Sequence, residues 1–191
     1  MLVLASLTAG QGVRYGVCKA AQLCASDGCR LMTDRASLTI TIETPCAALA
    51  SEAELQSVIA YTLAAEGVTA PVTLTVVLVD DATIHELNRR FLAHDEPTDV
   101  ITFPLDNQDD EFFLPAEAAR QLGEIYISCE RAAAQSAAWG TTPAREVRFL
   151  AVHGVLHLLG WDDATTEDRA RMLARQDALL ATWTAESQEV L

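Results

Sequence analysis

Lysine is nearly absent from this chain: Lys19 stands alone, and every other cation is an arginine. Anions outnumber cations 27 to 13, giving a formal net charge of −14. That balance excludes a broad basic surface able to grip nucleic acid nonspecifically, although it leaves room for a small basic cleft. No apolar run approaches the roughly 18 residues that a membrane span requires. Half of the residues are hydrophobic and only 21% are charged, which excludes a disordered or fibrous chain. A length of 191 residues predicts one domain. A chain of this size buries roughly 70% of its unfolded surface and folds without covalent staples.

Cysteines are few and irregular. Cys18, Cys24, Cys29, Cys46 and Cys129 are odd in number and share no repeating spacing, so a disulfide framework is not expected and a reducing, cytoplasmic compartment fits. The first three lack a C-x2-C hook or a neighbouring histidine, which argues against a metal site there. The opening MLVLASLTAG has an apolar run but no basic region before it, unlike a secretory leader. Residues 1–31 carry a net of +2 and residues 32–191 a net of −16. This break divides the chain into an N-terminal extension, 1–31, and a folded domain, 32–191, with Met32 as a candidate natural start.

Strands and helices alternate along the domain. Leu38–Ile42 and Val72–Val79 read as strands, as do Thr98–Phe103 and Gly123–Ser128. Ser51-x-x-Glu54 is a capping-box signature for a helix carrying Leu55, Val58, Ile59 and Leu63 and stopping at Gly67. Asp80 or Asp81 caps a second helix with Ile84, Leu87 and Phe91 on one face, and Pro97 breaks it. Asp106–Pro115 reads as an acidic loop. Ser128 caps an alanine-rich helix reaching Trp139, and Thr142-Pro143 opens a helix to Leu159, ended by Gly160. Thr165-x-x-Asp168 opens a last amphipathic helix with Met172, Leu173 and Leu179. The pattern predicts one mixed sheet covered by helices.

Histidine is also scarce, and two of the four occur as His153 and His157. At i, i+4 on a helix, both rings project from one face about a turn apart. The surrounding FLAVHGVLHLLG is apolar nearly all round, so the helix must be buried, and buried imidazoles need partners. Gly160 permits a chain reversal that can fold the Asp162-Asp163 carboxylates back over the rings. The pattern H-x3-H-x5-D supplies three ligands and leaves coordination positions open, as catalytic rather than structural zinc sites do. The structural alternative is a histidine pair satisfied by carbonyls or buried water. Metalloprotease helices of the H-E-x-x-H type place a general base beside the first ligand. Here that position is Gly154, so a peptidase would need its base from Asp162 or Glu124. Gly154 points instead to a close backbone approach or to room for a bulky substrate.

HGVLHLLGWDD resembles the signature of the YbeY family, H-G-x-L-H-L-x-G-[YW]-x-H. LNRRFLAHDEPTDVITFP and LGEIYIS resemble two further segments of that family, in order and spacing. The likeness spans roughly residues 38–183. It implies a compact α+β domain: a small mixed four-stranded sheet covered by about five helices, with a zincin-like helix bearing the metal ligands. It also implies a Zn2+-dependent, single-strand-specific endoribonuclease that matures the 3′ end of small-subunit (16S) rRNA and serves ribosome quality control. Expected partners are therefore single-stranded RNA and the ribosome, with no DNA and no membrane. The implied ligands are His153, His157 and Asp163, with Asp162 a candidate proton acceptor.

Two departures stand out. Asp163 occupies a position where the family usually has histidine. A harder, anionic ligand acidifies a bound water less and admits divalent metals other than zinc. Leu92 occupies a position where the family often has arginine, so that residue is not carried over. Arg89 and Arg90 are candidates to replace its charge, or solvated helix residues. His94 reads as a surface loop residue and His85 has no functional pattern. Thr98 and Asp99 are expected to border the site, and Trp161 is a candidate base-stacking aromatic. The rival expectations are a metallohydrolase of another substrate class, including peptides, and a ribosome assembly factor with a structural metal.

Overall fold

A computed structural model describes residues 36–42, 46, 49–105 and 119–189. The N-terminal extension, the Cys18/Cys24/Cys29 trio and the acidic loop Asp106–Pro115 lie outside the described residues. In chain order the elements are β1 (Ala36–Ile42), α1 (Glu52–Ala65), β2 (Val72–Val79), α2 (Asp81–Leu92), β3 (Val100–Pro104) and β4 (Arg120–Ser128). Then follow α3 (Cys129–Trp139), α4 (Pro143–Leu158) and α5 (Thr166–Glu189). The fold is α+β, with five helices and a small mixed sheet of order β1-β2-β4-β3 among the described residues. β1, β2 and β4 run parallel, and β3 lies antiparallel to β4 on the edge.

Strand alternation assigns the two faces. Leu74, Val76 and Leu78 of β2 and Ile125 and Ile127 of β4 are buried in one large core with α1, α4 and α5. Each such side chain contributes roughly 1.5–3 kcal/mol by leaving water. The opposite face is thinner: Val79, Ile84 and Ile101 are buried there, with Leu87, Leu92, Phe103 and Tyr126 packed around them. α2 covers that face, and α4 covers the other.

Several helix ends follow from their residues. Asp80, Ser128 and Thr142 each accept a backbone N–H three residues on, satisfying donors that a first turn leaves orphaned. Ser51 holds the N-cap position of α1, but its side chain makes no capping bond, and Glu54 pairs with Arg148 of α4 at 2.9 Å instead. A long-range ion pair displaces the local capping box. On α2, Phe91 is exposed although the helical spacing placed it with Ile84, while Asn88 is buried and donates to the Glu96 carbonyl at 2.7 Å. The chain after α2 folds back over Asn88, which periodicity does not register.

The cysteine expectation fails at one pair: Cys46 and Cys129 form a disulfide across 83 residues of sequence. The cause is topological. Cys46 follows β1 and Cys129 follows β4, and parallel strands end at the same edge of a sheet. Spacing along the chain carries no trace of that proximity. No helix among the described residues is long and apolar enough to cross a membrane.

Candidate metal centre

α4 carries the histidines. Pro143 stands in its first turn, where a missing N–H loses nothing, and Val147, Leu150, Ala151, Val152, Val155 and Leu156 bury it among β4, α1 and α5. Its end is a Schellman turn: Trp161 N–H donates to Leu156 O at 3.0 Å and Gly160 N–H to His157 O at 2.9 Å. Gly160 takes φ 90, open to glycine without strain. Asp162 Oδ1 then accepts the N–H groups of Asp163 (2.8 Å) and Ala164 (3.0 Å), fixing the loop. The reversal brings Asp163 over the two rings. Ligand atoms of His153, His157 and Asp163 all lie within 4.8 Å of one another, with His153 and Asp163 buried.

Hydrogen bonds decide which ring nitrogens face inward. His157 Nδ1 lies 2.9 Å from the Trp161 carbonyl, which can only accept, so Nδ1 is the protonated atom. His153 Nδ1 lies 3.2 Å from Gln176 Oε1, while the amide nitrogen of Gln176 donates to Phe149 O at 2.7 Å. That second bond orients the amide, so His153 Nδ1 is also the donor. Both Nε2 atoms therefore present lone pairs, and they stand only 3.0 Å apart. Two facing lone pairs beside a buried carboxylate repel unless a cation lies between them. A ring whose far nitrogen is held by a carbonyl or amide is the usual support of a metal-binding imidazole. The donor set, two imidazoles and one carboxylate, fits a divalent transition ion.

Electrostatics points the same way. Burial, and then the neighbouring His153, lower the pKa of His157 from 6.5 to about 4. Burial also lowers that of His153, against the opposing pull of Gln176 and the Asp163 and Asp99 carboxylates. Both rings are neutral at pH 7 and competent as ligands.

The family model described as "Endoribonuclease YbeY" matches residues 40–184. The chain belongs to the YbeY family. An "Endoribonuclease YbeY" from Roseiflexus castenholzii is 42% identical over 135 residues, 70% of this chain and 84% of that one. Another, from an Exiguobacterium species, is 43% identical over 134 residues, covering 68% and 85%. The solution structure of TM1509 from Thermotoga maritima superposes with a TM-score of 0.55 at 25% identity, over 80% of this chain and 93% of that one.

Within this YbeY chain the other residues singled out by sequence have partners of their own. Gly154 faces the sheet: a Cβ there would sit 2.8 and 2.9 Å from Ile125 side-chain atoms. Its smallness admits a core side chain, not a backbone or a substrate. Glu124 alternates with Ile125 and so points from the opposite face, accepting a bond from Tyr126 at 2.9 Å. Trp161 packs on the main core and its indole N–H donates to Glu66 at 3.0 Å, so its ring is no free stacking platform. Arg89 pairs with Glu86, and Arg90 lies over the exposed Phe91 ring. His85 pairs with Asp95, and His94 is exposed. Asp99 is buried, bonded to Thr98, Val100 N–H and Gln135, and its charge reaches His153. Two neighbours escaped sequence reasoning: Gln176 and Arg169, both on α5. Gln176 is a fully buried amide on an amphipathic helix, a signal visible in the sequence only as a polar residue four after Met172.

Proposed function

We propose that this chain is a metal-dependent endoribonuclease that cuts single-stranded RNA, with the 3′ end of small-subunit rRNA as substrate and the ribosome as partner. The observation that carries the metal is the pair of convergent Nε2 lone pairs 3.0 Å apart beside Asp163. His153, His157 and Asp163 would hold one ion, Zn2+ or another divalent metal. When bound, such an ion supplies Lewis acidity and an activated water.

The chain's own residues do the rest. Gln176 and the Trp161 carbonyl keep the inward nitrogens unprotonated. The apolar wall of α4 and β4 excludes bulk water behind the rings, which strengthens charge interactions at the centre. Asp162 is exposed, and its Oδ2 makes no hydrogen bond among the described residues. We assign it acceptance of a proton during hydrolysis. The endoribonuclease names of the relatives favour RNA over peptides, and the residue after His153 is Gly154 rather than the glutamate that a peptidase of this helix type uses as its base.

The test is His153→Ala. Metal content and RNA cleavage should disappear together while casein stays intact with either protein. Retained cleavage by a metal-free variant defeats this function. Lost ribosome binding with no nuclease activity in the parent protein would favour the assembly-factor alternative.

A further inference from the structure

We infer that Arg169 is the residue that binds the scissile phosphate at this centre, an inference resting on the RNA reading above. Its guanidinium Nη2 lies 3.5 Å from Asp163 Oδ2, and its charge is felt at His153. Among the described residues no other cation makes an ion pair with the three-residue cluster. Arg175 closes on Glu66 at 2.7 Å, Arg171 on Asp168 at 2.6 Å and Arg148 on Glu54 at 2.9 Å. Those pairs are short; the Arg169 contact is long and single.

The looseness of that contact separates two roles. Groups that hold this centre in place are short or buried: the Trp161 carbonyl at 2.9 Å and the fully buried Gln176. Arg169 is 44% exposed while Asp163 is 3% exposed. A guanidinium carries five donors in a planar fork suited to phosphate oxygens. Four of them make no bond within the described residues. A cation anchored at its inner edge and open at its outer edge is placed to bridge an arriving anion.

Helix stability does not explain the residue either. Arg169 N–H donates to Thr165 O, so its side chain stands at the end of the first turn of α5. Cations in a first turn oppose the helix dipole, at about 0.3–1 kcal/mol. The overall charge makes a local cation more important still. At −14 the protein repels a polyanion at long range, and phosphate contacts dominate affinity for RNA. A phosphodiester approaching the centre meets the exposed Asp162 carboxylate, and Arg169 is the cation in place to offset it.

The experiment compares Arg169→Ala and Arg169→Lys with the parent, each loaded with zinc. Three quantities are read: zinc affinity by chelator competition, binding of a 2′-O-methyl oligoribonucleotide across a salt series, and cleavage of the same sequence as RNA. Thermal melting confirms folding. Arg169→Ala should keep zinc affinity within about two-fold and weaken oligonucleotide binding, with a salt slope shallower by about 0.7. Its kcat/KM should fall about 10²–10³-fold, and lysine should recover part of the loss. A ten-fold or greater loss of zinc affinity makes Arg169 a positioning residue for Asp163 and overturns the inference. An unchanged salt slope and cleavage rate overturns it too. A parent protein that binds the oligonucleotide without cutting RNA defeats the nuclease reading alone, and the slope then decides Arg169. A parent that binds no oligonucleotide defeats both.

Discussion

Replacing Gln176 with leucine should loosen the metal without touching a ligand. The amide accepts from His153 Nδ1 at 3.2 Å and donates to Phe149 O at 2.7 Å, with no solvent access. Leucine fills similar space but leaves the buried imidazole N–H without a partner, at about 1–3 kcal/mol. Phe149 O loses little, since it also serves the helix. Released from the amide, His153 can move its proton to Nε2, the atom that must face the ion. Loss of such an outer partner weakens metal binding about 10–100-fold. At about 2–4 °C per kcal/mol for a chain of this length, melting of the metal-free protein should fall by roughly 2–12 °C. Chelator-competition titration reads the first quantity and circular dichroism the second. Gln176→Glu is the informative companion, because a carboxylate still accepts from Nδ1 and makes the ring more basic, and it should hold metal at least as tightly as the parent. Parental zinc affinity in Gln176→Leu would refute the orienting role.

Further outcomes follow from the same geometry. Gly154→Ala drives a Cβ into the fully buried Ile125. Overpacking of about 1–3 kcal/mol should outweigh the helix gain of about 1 kcal/mol, lowering the melting temperature by a few degrees; a higher one would contradict the close approach. In chelator, stability should drop as pH falls from 6.5 towards 4. The folded pKa of His157 lies below its unfolded value, so the unfolded chain takes up the proton first. The loss is about 2 kcal/mol after allowance for partial exposure, and His157→Gln should flatten that part of the urea-measured profile. Asp162→Asn keeps an oxygen for the two loop N–H groups but removes proton acceptance. Metal content should stay and kcat fall about 10²-fold; an unchanged kcat removes Asp162 from the chemistry.

Much of this protein is written in local pattern. Val72–Val79 is a strand to the residue, Thr142 and Pro143 open α4, and Gly160 closes it, because caps and turns act over a few residues. The closeness of His153, His157 and Asp163 is equally local, since a helix turn and a Schellman reversal set their separation. What joins distant segments was not. The Cys46–Cys129 bridge follows from two parallel strands ending at one edge. The Glu54–Arg148 pair replaces a capping box, and Asn88 takes an interior place that periodicity gave to Phe91. The inward lone pairs of the histidines depend on Gln176, 23 residues beyond His153. Helix pitch and one glycine, both readable along the chain, bring two imidazoles and a carboxylate together. Only the packing of α5 against α4 decided that those atoms are neutral, oriented and flanked by Arg169, because a proton's position depends on partners that meet only when the chain is folded.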